Sequence, residues 1–451
     1  MISVAQLFLG LSALSLTSPA LARQDLRSRI PLQARQTNSG DVIIQMFEWN
    51  WDSLAQECTE FIGPAGYRYI QVSPPQEHIS GSQWWTSYQA VSYTLTSKRG
   101  NRDQFKNMVS TCKAAGVDVI VDVILNHMAG IDSGTGVAGA SFTHYSYPPT
   151  YSTDDFHYCG TPGNDIQDWT NGTQVQNCEL VRVVLFCLKT ESDYVRGKLA
   201  GHLSDLLSLG VTGFRLDAAK HVPIADLQNI LSRAPGAQFI TQEVYYGSGD
   251  IQPSQYQVIG DVTEFTFEQV VKDAFLGNNG NSISQLSSVG DSRFISGDKA
   301  NIFVVTHDTE RSGEGLTSSS PSNTYTLAHI FMLAFNYGNP MVLSSYTYSS
   351  TDDGAPNNGQ GTCSGNGGAN GYLCQHRWVA VAGMVPWRNS AGSEAVSNWV
   401  SPQGNRIAFG RGAKAYVAIN NADDDWSSTF STGLPDGVYC NVISSTDCQE
   451  K

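Results

Sequence analysis

Charge is scarce in this sequence. Only 15% of its 451 residues are Asp, Glu, Lys or Arg, against about 25% in ordinary soluble domains. Basic charge is scarcer still: 27 Lys and Arg stand against 41 Asp and Glu, for a net charge of -14, and the cations form no run. A phosphate backbone needs clustered Lys and Arg, so a nucleic-acid partner is excluded. No two cysteines have the C-x-x-C spacing of a zinc site, which removes the structural-zinc classes. Long apolar runs are missing too. "VAQLFLGLSALSL" near the N-terminus is too short for a comfortable membrane span and leads into the small-x-small site "SPALA" ending at Ala22. Residues 1–22 are expected to be a signal peptide rather than an anchor, and 23–40 an exposed leader. A secreted protein without a membrane partner follows.

Glycine and cysteine are what the sequence does contain. Forty-three glycines imply many tight turns and long loops. Nine cysteines in a secreted chain point to disulfides, and an odd count leaves one over. Asn171-Gly172-Thr173 is an N-glycosylation sequon.

Eight short β-rich runs recur along the chain: 42–47, 69–73, 119–124, 213–217, 239–244, 261–265, 301–308 and 341–346. Helical patterns such as 101–116 and 192–210 lie between them, ending at Gly116 and Gly210. Alternation of this kind predicts a parallel sheet, and eight repeats predict a closed (β/α)8 barrel of the α/β class. A doubly wound open sheet is the alternative, but no Gly-rich phosphate loop follows the first strand. Residues 125–212 separate the third and fourth runs. The expected organisation is therefore a barrel over 41–127 and 192–386, an inserted domain over 128–191 and an all-β C-terminal domain over 387–451. In the last, "RIAFGRG", "AYVAIN", "STFSTG" and "GVYCNVI" read as strands. The Gly/Asn-rich stretch 352–374 reads as a long loop.

One run carries a contradiction. "TGFRLDAAKH" (212–221) begins as a buried strand, yet Arg215 and Asp217 lie two positions apart and so share a face. Such a pair on an apolar strand is costly unless it serves a purpose. Polar residues at C-terminal strand ends line the active sites of barrels. Here those ends supply Asp122, Asn126 and His127 from the third strand, Arg215, Asp217, Lys220 and His221 from the fourth, Glu243 from the fifth, and His307 and Asp308 from the seventh. Three carboxylates converging from separate strands suit glycoside hydrolysis, which needs one ionised carboxylate and one protonated acid. Arg215 is expected to lower the pKa of Asp217 and keep it ionised. The apolar and aromatic flanks of Glu243, with Asp308 nearby, are expected to raise its pKa.

These segments resemble the α-amylase family of retaining glycoside hydrolases, its animal-type branch in particular. The resemblance rests on "GFRLDAAKH", "ITQEV", "VVTHDTER" and "DVILNH", with "VIIQMFEWNW", "VSPPQEH" and "WWTSYQAVSY" upstream, and runs from Asp41 to Cys440. It implies Asp217 as nucleophile, Glu243 as general acid/base and Asp308 as third carboxylate. Trp84, Trp85 and Tyr88 would stack on sugar rings. Gln89, His127, Arg215, Lys220, His221 and His307 complete the implied substrate-binding set. The implied activity is internal cleavage of α-1,4 bonds in starch, glycogen or maltooligosaccharides by a monomer. An α-glucosidase, a glucanotransferase or a carbohydrate-binding protein without catalysis are the alternatives.

The resemblance also implies a calcium ion on Asn126, the His221 carbonyl and a carbonyl near Gln176, with an aspartate as its one charged ligand. In "LVRVVLFCLKTE" that position is Cys187, and the stretch is longer than the family's pattern. The implied disulfides Cys58–Cys112, Cys159–Cys178, Cys363–Cys374 and Cys440–Cys448 leave Cys187 over. Either this is a variant with weakened calcium binding, or the segment is mis-assembled at an exon edge. Chloride is not expected, because Thr306 and Thr347 stand where the resemblance calls for an amide and a second basic residue. The C-terminal sheet is expected to be shorter than the family's and to expose an edge.

Overall fold

The computed structural model describes residues 40–180, 185–247 and 249–444. The expected signal peptide, most of the leader, Cys448 and residues 181–184 lie outside them. Eight parallel strands close into a barrel: β1 (Ile43–Met46), β2 (Tyr69–Val72), β3 (Asp118–Ile124), β4 (Gly213–Asp217), β5 (Phe239–Gln242), β6 (Asp261–Thr263), β7 (Ala300–Phe303) and β8 (Asn339–Ser344). Each pairs with its chain neighbours, and β8 closes on β1. Helices cover the outside, among them α1 (Trp51–Glu57), α2 (Arg102–Ala114), α3 (Asp193–Ser208), α4 (Ile224–Arg233), α5 (Phe265–Leu276), α6 (Thr324–Ala334) and α7 (Val379–Ala391). The start of α2 shows why the chain turns helical there: the Asn101 side chain accepts from the Asp103 and Gln104 amides, and Gln104 reaches back to the Asn101 N–H. Phe105, Met108, Val109 and Cys112 then form its buried face, and Cys112 is bonded to Cys58.

Strand parity builds the lumen in layers. Ile43, Tyr69, Ile120, Phe239, Phe303 and Met341 pack as one apolar cluster inside the barrel. Two residues further along their strands, on the same face, come Gln45, Gln71, Asp122 and Thr241, all buried. Arg215 lies opposite Asp122 and Thr241, so it enters this polar layer, and Asp217 opposite Ile124 stands one layer higher. Phe214 and Leu216 take the other face, under the helices, with no exposed surface. Gly213 is required by packing: a Cβ there would lie 2.4 Å from the Phe239 carbonyl oxygen, where Phe239 stacks on Tyr69.

Three expectations about elements need correction. The strand over 301–308 stops at Phe303, and His307–Ser312 is a short helix. Thr306 caps it, accepting from Thr309 N–H while Thr309 returns a bond to Thr306 N–H, and this box overrides the β-branched run. Helix α7 carries Pro386 in its interior, so the expected boundary at 386–387 falls inside a helix and the β pattern begins after it. Of the four strands expected beyond, the last two are absent among the described residues. The sheet consists of β9 (Val396–Gln403), β10 (Arg406–Arg411) and β11 (Ala415–Asn420), and 421–444 holds no strand. Gly433, Pro435 and Gly437 interrupt the β-branched residues there.

Among the described residues, the excursion after β3 contains only short pieces. His127–Met128 pairs with Phe186–Cys187, Ser133–Thr135 pairs with Ser141–Thr143, and one helix spans Gly172–Asn177. Cys159 is bonded to Cys178 and Cys363 to Cys374. Cys187 is free and buried. No helix of the described residues is long and apolar enough to cross a membrane.

Candidate active site

One guanidinium organises the C-terminal mouth of the barrel. Arg215 Nη1 donates to Asp122 Oδ1 at 2.8 Å and to Asp217 Oδ1 at 2.7 Å. Its Nη2 lies 2.9 Å from Glu243 Oε1. Glu243 follows the end of β5 and accepts a second bond at Oε2 from the Ala218 N–H, 2.8 Å. Ala218 has φ of +47°, a left-handed conformation that costs a non-glycine residue energy and is tolerated where the surroundings impose it. Here the turn directly after Asp217 aims a backbone N–H at Glu243.

The expected division of labour between the carboxylates therefore needs correction. Arg215 does not serve Asp217 alone; it holds Asp122, Asp217 and Glu243 together. Nor does it depress Asp217: burial pushes that carboxyl up and outweighs the opposing guanidinium. Burial also raises Asp122 to about 7, against Arg215. Asp308 is raised to about 8, by burial first and then by the charge of Glu243. Four carboxyls facing one cation cannot all ionise cheaply, so the cluster retains a proton near neutral pH.

The aromatic and histidine residues sit on the other side of the mouth. Trp84, Trp85 and Tyr88 share a short 3-10 helix after β2. Tyr88 donates its hydroxyl to Asp122 Oδ2 at 2.9 Å and stacks on His307, 5.3 Å between centroids. Trp84 meets His307 edge-on at 5.5 Å, and its indole N–H is held by the Thr351 carbonyl. His307 Nδ1 is 2.8 Å from Gln45 Nε2, and its Nε2 is 3.2 Å from Asp308 Oδ2. Burial first, then Arg215 and Arg311, keeps its pKa well below the usual value, so the ring is neutral with Nδ1 accepting from the Gln45 amide. His127 Nε2 lies 3.1 Å from the Tyr88 carbonyl and 4.0 Å from Asp217. Lys220 and His221 line the cleft beside Glu243. Gln89 is the expected residue turned away: it is buried, and its Oε1 accepts from Gly130 N–H at 2.8 Å.

Residues 70–289 match the family model for the alpha amylase catalytic domain, and 399–451 match that for the alpha amylase C-terminal all-beta domain. An alpha-amylase of Streptomyces violaceus is 48% identical over 420 residues, 92% of this chain and 71% of the relative. The chain belongs to the alpha-amylase family of glycoside hydrolases. Its function is accordingly that of an alpha-amylase. An alpha-amylase-related protein of Drosophila pseudoobscura pseudoobscura is 38% identical over 90% of this chain and 85% of its own length. Among solved structures, alpha-amylase I of Eisenia fetida superposes with a TM-score of 0.85 at 36% identity, covering 91% of this chain and 90% of that one. A glutamate-to-glutamine mutant of the same earthworm enzyme, in complex with maltohexaose, gives 0.86.

Membership makes calcium the group to test, and the residues do not fit it well. The Asn126 amide donates to Cys187 Sγ at 3.3 Å, so Asn126 and the free cysteine do meet. Burial pushes the thiol up to about 12, which leaves it protonated and neutral. Gln176 donates its amide to Tyr256 Oη, and His221 turns Nδ1 to the Val175 carbonyl at 2.9 Å. A hard dication wants several oxygens, carboxylates among them, and no carboxylate takes part in these contacts. Among the described residues, one His/Cys/Asp/Glu group is compact enough for an ion: Glu57, Cys363 and His376. Cys363 is bonded to Cys374, and Glu57 is already held by His376 and Arg377, so this group offers no free ligands either.

Sequence reading of this alpha-amylase site gave Asp122 no role and passed over Gln45, Trp169 and Tyr246, the last two lining the cleft beside Glu243. Asp122 stood among the strand ends, and its parity with Arg215 was the available signal. Gln45 could have been found by its parity with Ile43. Trp169 and Tyr246 belong to loops, where no period marks them.

Proposed function

We propose that this alpha-amylase is secreted and cleaves internal α-1,4 bonds of starch, glycogen and maltooligosaccharides as a monomer, with retention of anomeric configuration. The supporting observation is that Asp217 and Glu243 bond to adjacent nitrogens of one guanidinium, at 2.7 and 2.9 Å. A retaining pair stands about 5–5.5 Å apart, a separation that two carboxyls sharing one guanidinium can adopt, whereas an inverting pair needs room for a water between them. Asp217 Oδ attacks C1. The C1–O bond breaks, its electron pair goes to the departing oxygen, and that oxygen takes the proton of Glu243. Glu243 then removes a proton from water, whose oxygen displaces Asp217 from C1 and regenerates the α-anomer. Neutral His307 and His127 hydrogen-bond sugar hydroxyls, while Trp84 and Tyr88 stack on ring faces. Asp308 binds hydroxyls more tightly in the distorted transition state.

Three disulfides among the described residues support passage through an oxidising compartment. Hydrolysis is proposed to proceed without chloride. Thr306 spends its hydroxyl on the cap of the His307 helix, and Thr347 bonds to the Gly371 carbonyl, so neither adds positive charge beside Arg215. The test is release of reducing sugar from soluble starch, with the anomer of the first product read by proton NMR. β-Anomer formed first, or a several-fold gain on adding chloride at fixed ionic strength, would overturn the corresponding part.

A further inference from the structure

A second charged cluster lies behind the aromatic wall, and its make-up is the reverse of the first: one acid, Glu48, set between two cations, Lys98 and Arg99. Glu48 follows the end of β1, has no exposed surface and has φ of +62°. A buried carboxylate on a left-handed, non-glycine backbone is costly on both counts and persists where its surroundings impose it. Those surroundings are complete. Its N–H donates to Ser73 Oγ at 2.9 Å, and its carbonyl accepts from Arg99 Nη1 at 2.8 Å. Its Oε2 pairs with Arg99 and lies 3.3 Å from Lys98 Nζ. Its Oε1 accepts from Ser87 Oγ at 2.9 Å, and Ser87 belongs to the 3-10 helix that carries Trp84 and Tyr88.

That helix has two faces. Trp84, Trp85 and Tyr88 keep part of their surface, whereas Thr86 and Ser87 are buried, so its hydroxyls turn inward onto the cluster. Five residues of 3-10 helix are too few to be stable by themselves, and the N-cap residue, Gln83, gives no side-chain bond. Lys98 supplies the tie instead. Its Nζ donates to the Gln83 carbonyl at 2.5 Å and to Thr86 Oγ1 at 2.8 Å, and Thr86 Oγ1 donates on to the Gln83 carbonyl at 2.7 Å. Trp84 follows Gln83 directly, so its backbone starts from the carbonyl that Lys98 holds. An aromatic ring fixed in advance loses less freedom when a sugar stacks on it. We propose that Lys98 and Glu48 are positioning residues for substrate binding: they fix the inner face of the 84–88 helix and thereby hold the Trp84 ring where a sugar meets it. This rests on the reading of Trp84 as a sugar-stacking residue.

The experiment is a double-mutant cycle read in KM for maltohexaose. Lys98→Met removes the ammonium and keeps an apolar stem. It is expected to raise KM roughly tenfold with kcat changed less than about twofold, the pattern of lost uniform binding. Ser87→Ala, which cuts only the bond to Glu48, is expected to raise KM about threefold. KM does not depend on the amount of active protein, so a poorly folded fraction leaves this reading intact. Trp84→Ala is expected to raise KM roughly tenfold by itself. If Lys98 acts through Trp84, the double variant Lys98→Met with Trp84→Ala has a KM close to that of Trp84→Ala alone. An unchanged KM in Lys98→Met, a fall in its kcat without a rise in KM, or effects that multiply to roughly a hundredfold in the double variant would overturn the proposal. If Trp84→Ala left KM unchanged, the stacking reading itself would fall, a separate outcome.

Discussion

The end of β3 feeds two neighbouring regions that treat charge in opposite ways. Asp122 reaches into the lumen, where it joins Asp217 and Glu243 on Arg215, with Asp308 at the rim. Four positions on, Asn126 reaches toward the inserted segment, where its amide meets the neutral thiol of Cys187 and the His127 ring. The first region is overcharged and held by one cation; in the second, the described side-chain contacts of Asn126 and Cys187 include no carboxylate. The difference teaches that buried acids are kept where chemistry uses them and where a positive partner is built into the same layer. At the junction neither condition is met.

The sharpest way to break the comparison is to disarm the charged region. Glu243→Gln or Asp217→Asn should lower kcat on starch by roughly a thousandfold or more, with circular dichroism unchanged; a loss under tenfold would remove that residue from the chemistry. Next comes the cation. Arg215→Met leaves buried carboxyls uncompensated and should cost about 3–5 kcal/mol in urea unfolding. A cost below about 1 kcal/mol would mean the acids protonate freely instead.

A smaller effect is carried by protons. Asp122 and Asp308 titrate at about 7 and about 8 in the folded protein, against an ordinary 3.8. A carboxyl raised by folding binds its proton more tightly in the native state, so its contribution is full below pH 3.8 and is lost as pH rises to 8. Stability should therefore decline across that window, and Asp308→Asn should flatten the decline. Melting temperatures at pH 5, 6, 7 and 8 that rise for the parent, or fall equally for both proteins, would refute the sign. The smallest effect is expected at the junction. Chelation by EDTA should leave the melting temperature of the parent protein where it is, and Cys187→Asp should give only a modest calcium-dependent gain. Tight calcium binding by the unaltered chain in a calorimeter would erase the contrast between the two regions.

How much of this was legible in the chain varies by element. The eight barrel strands were visible because each is a short apolar run whose order along the chain is also its order in the sheet. Asp217, Glu243 and Asp308 were visible because they end such runs. The helix at His307 was not, since a capping box of Thr306 and Thr309 competes with β propensity at a range of three residues. The two missing C-terminal strands looked like strands by composition, but a strand exists only when another edge pairs with it.

What the sequence determined by itself is thus whatever follows from period and parity: the barrel, the inward face that Arg215 shares with Asp217, the family and the odd cysteine. Tertiary structure alone decided that Arg215 is divided among three acids, that Gln89 turns to Gly130, that Asn126 meets a thiol, and that Trp169 and Tyr246 face one pocket. The physical reason is range. Parity is set by bonds between adjacent residues, whereas each of these contacts depends on distances between segments that only the closed barrel brings together.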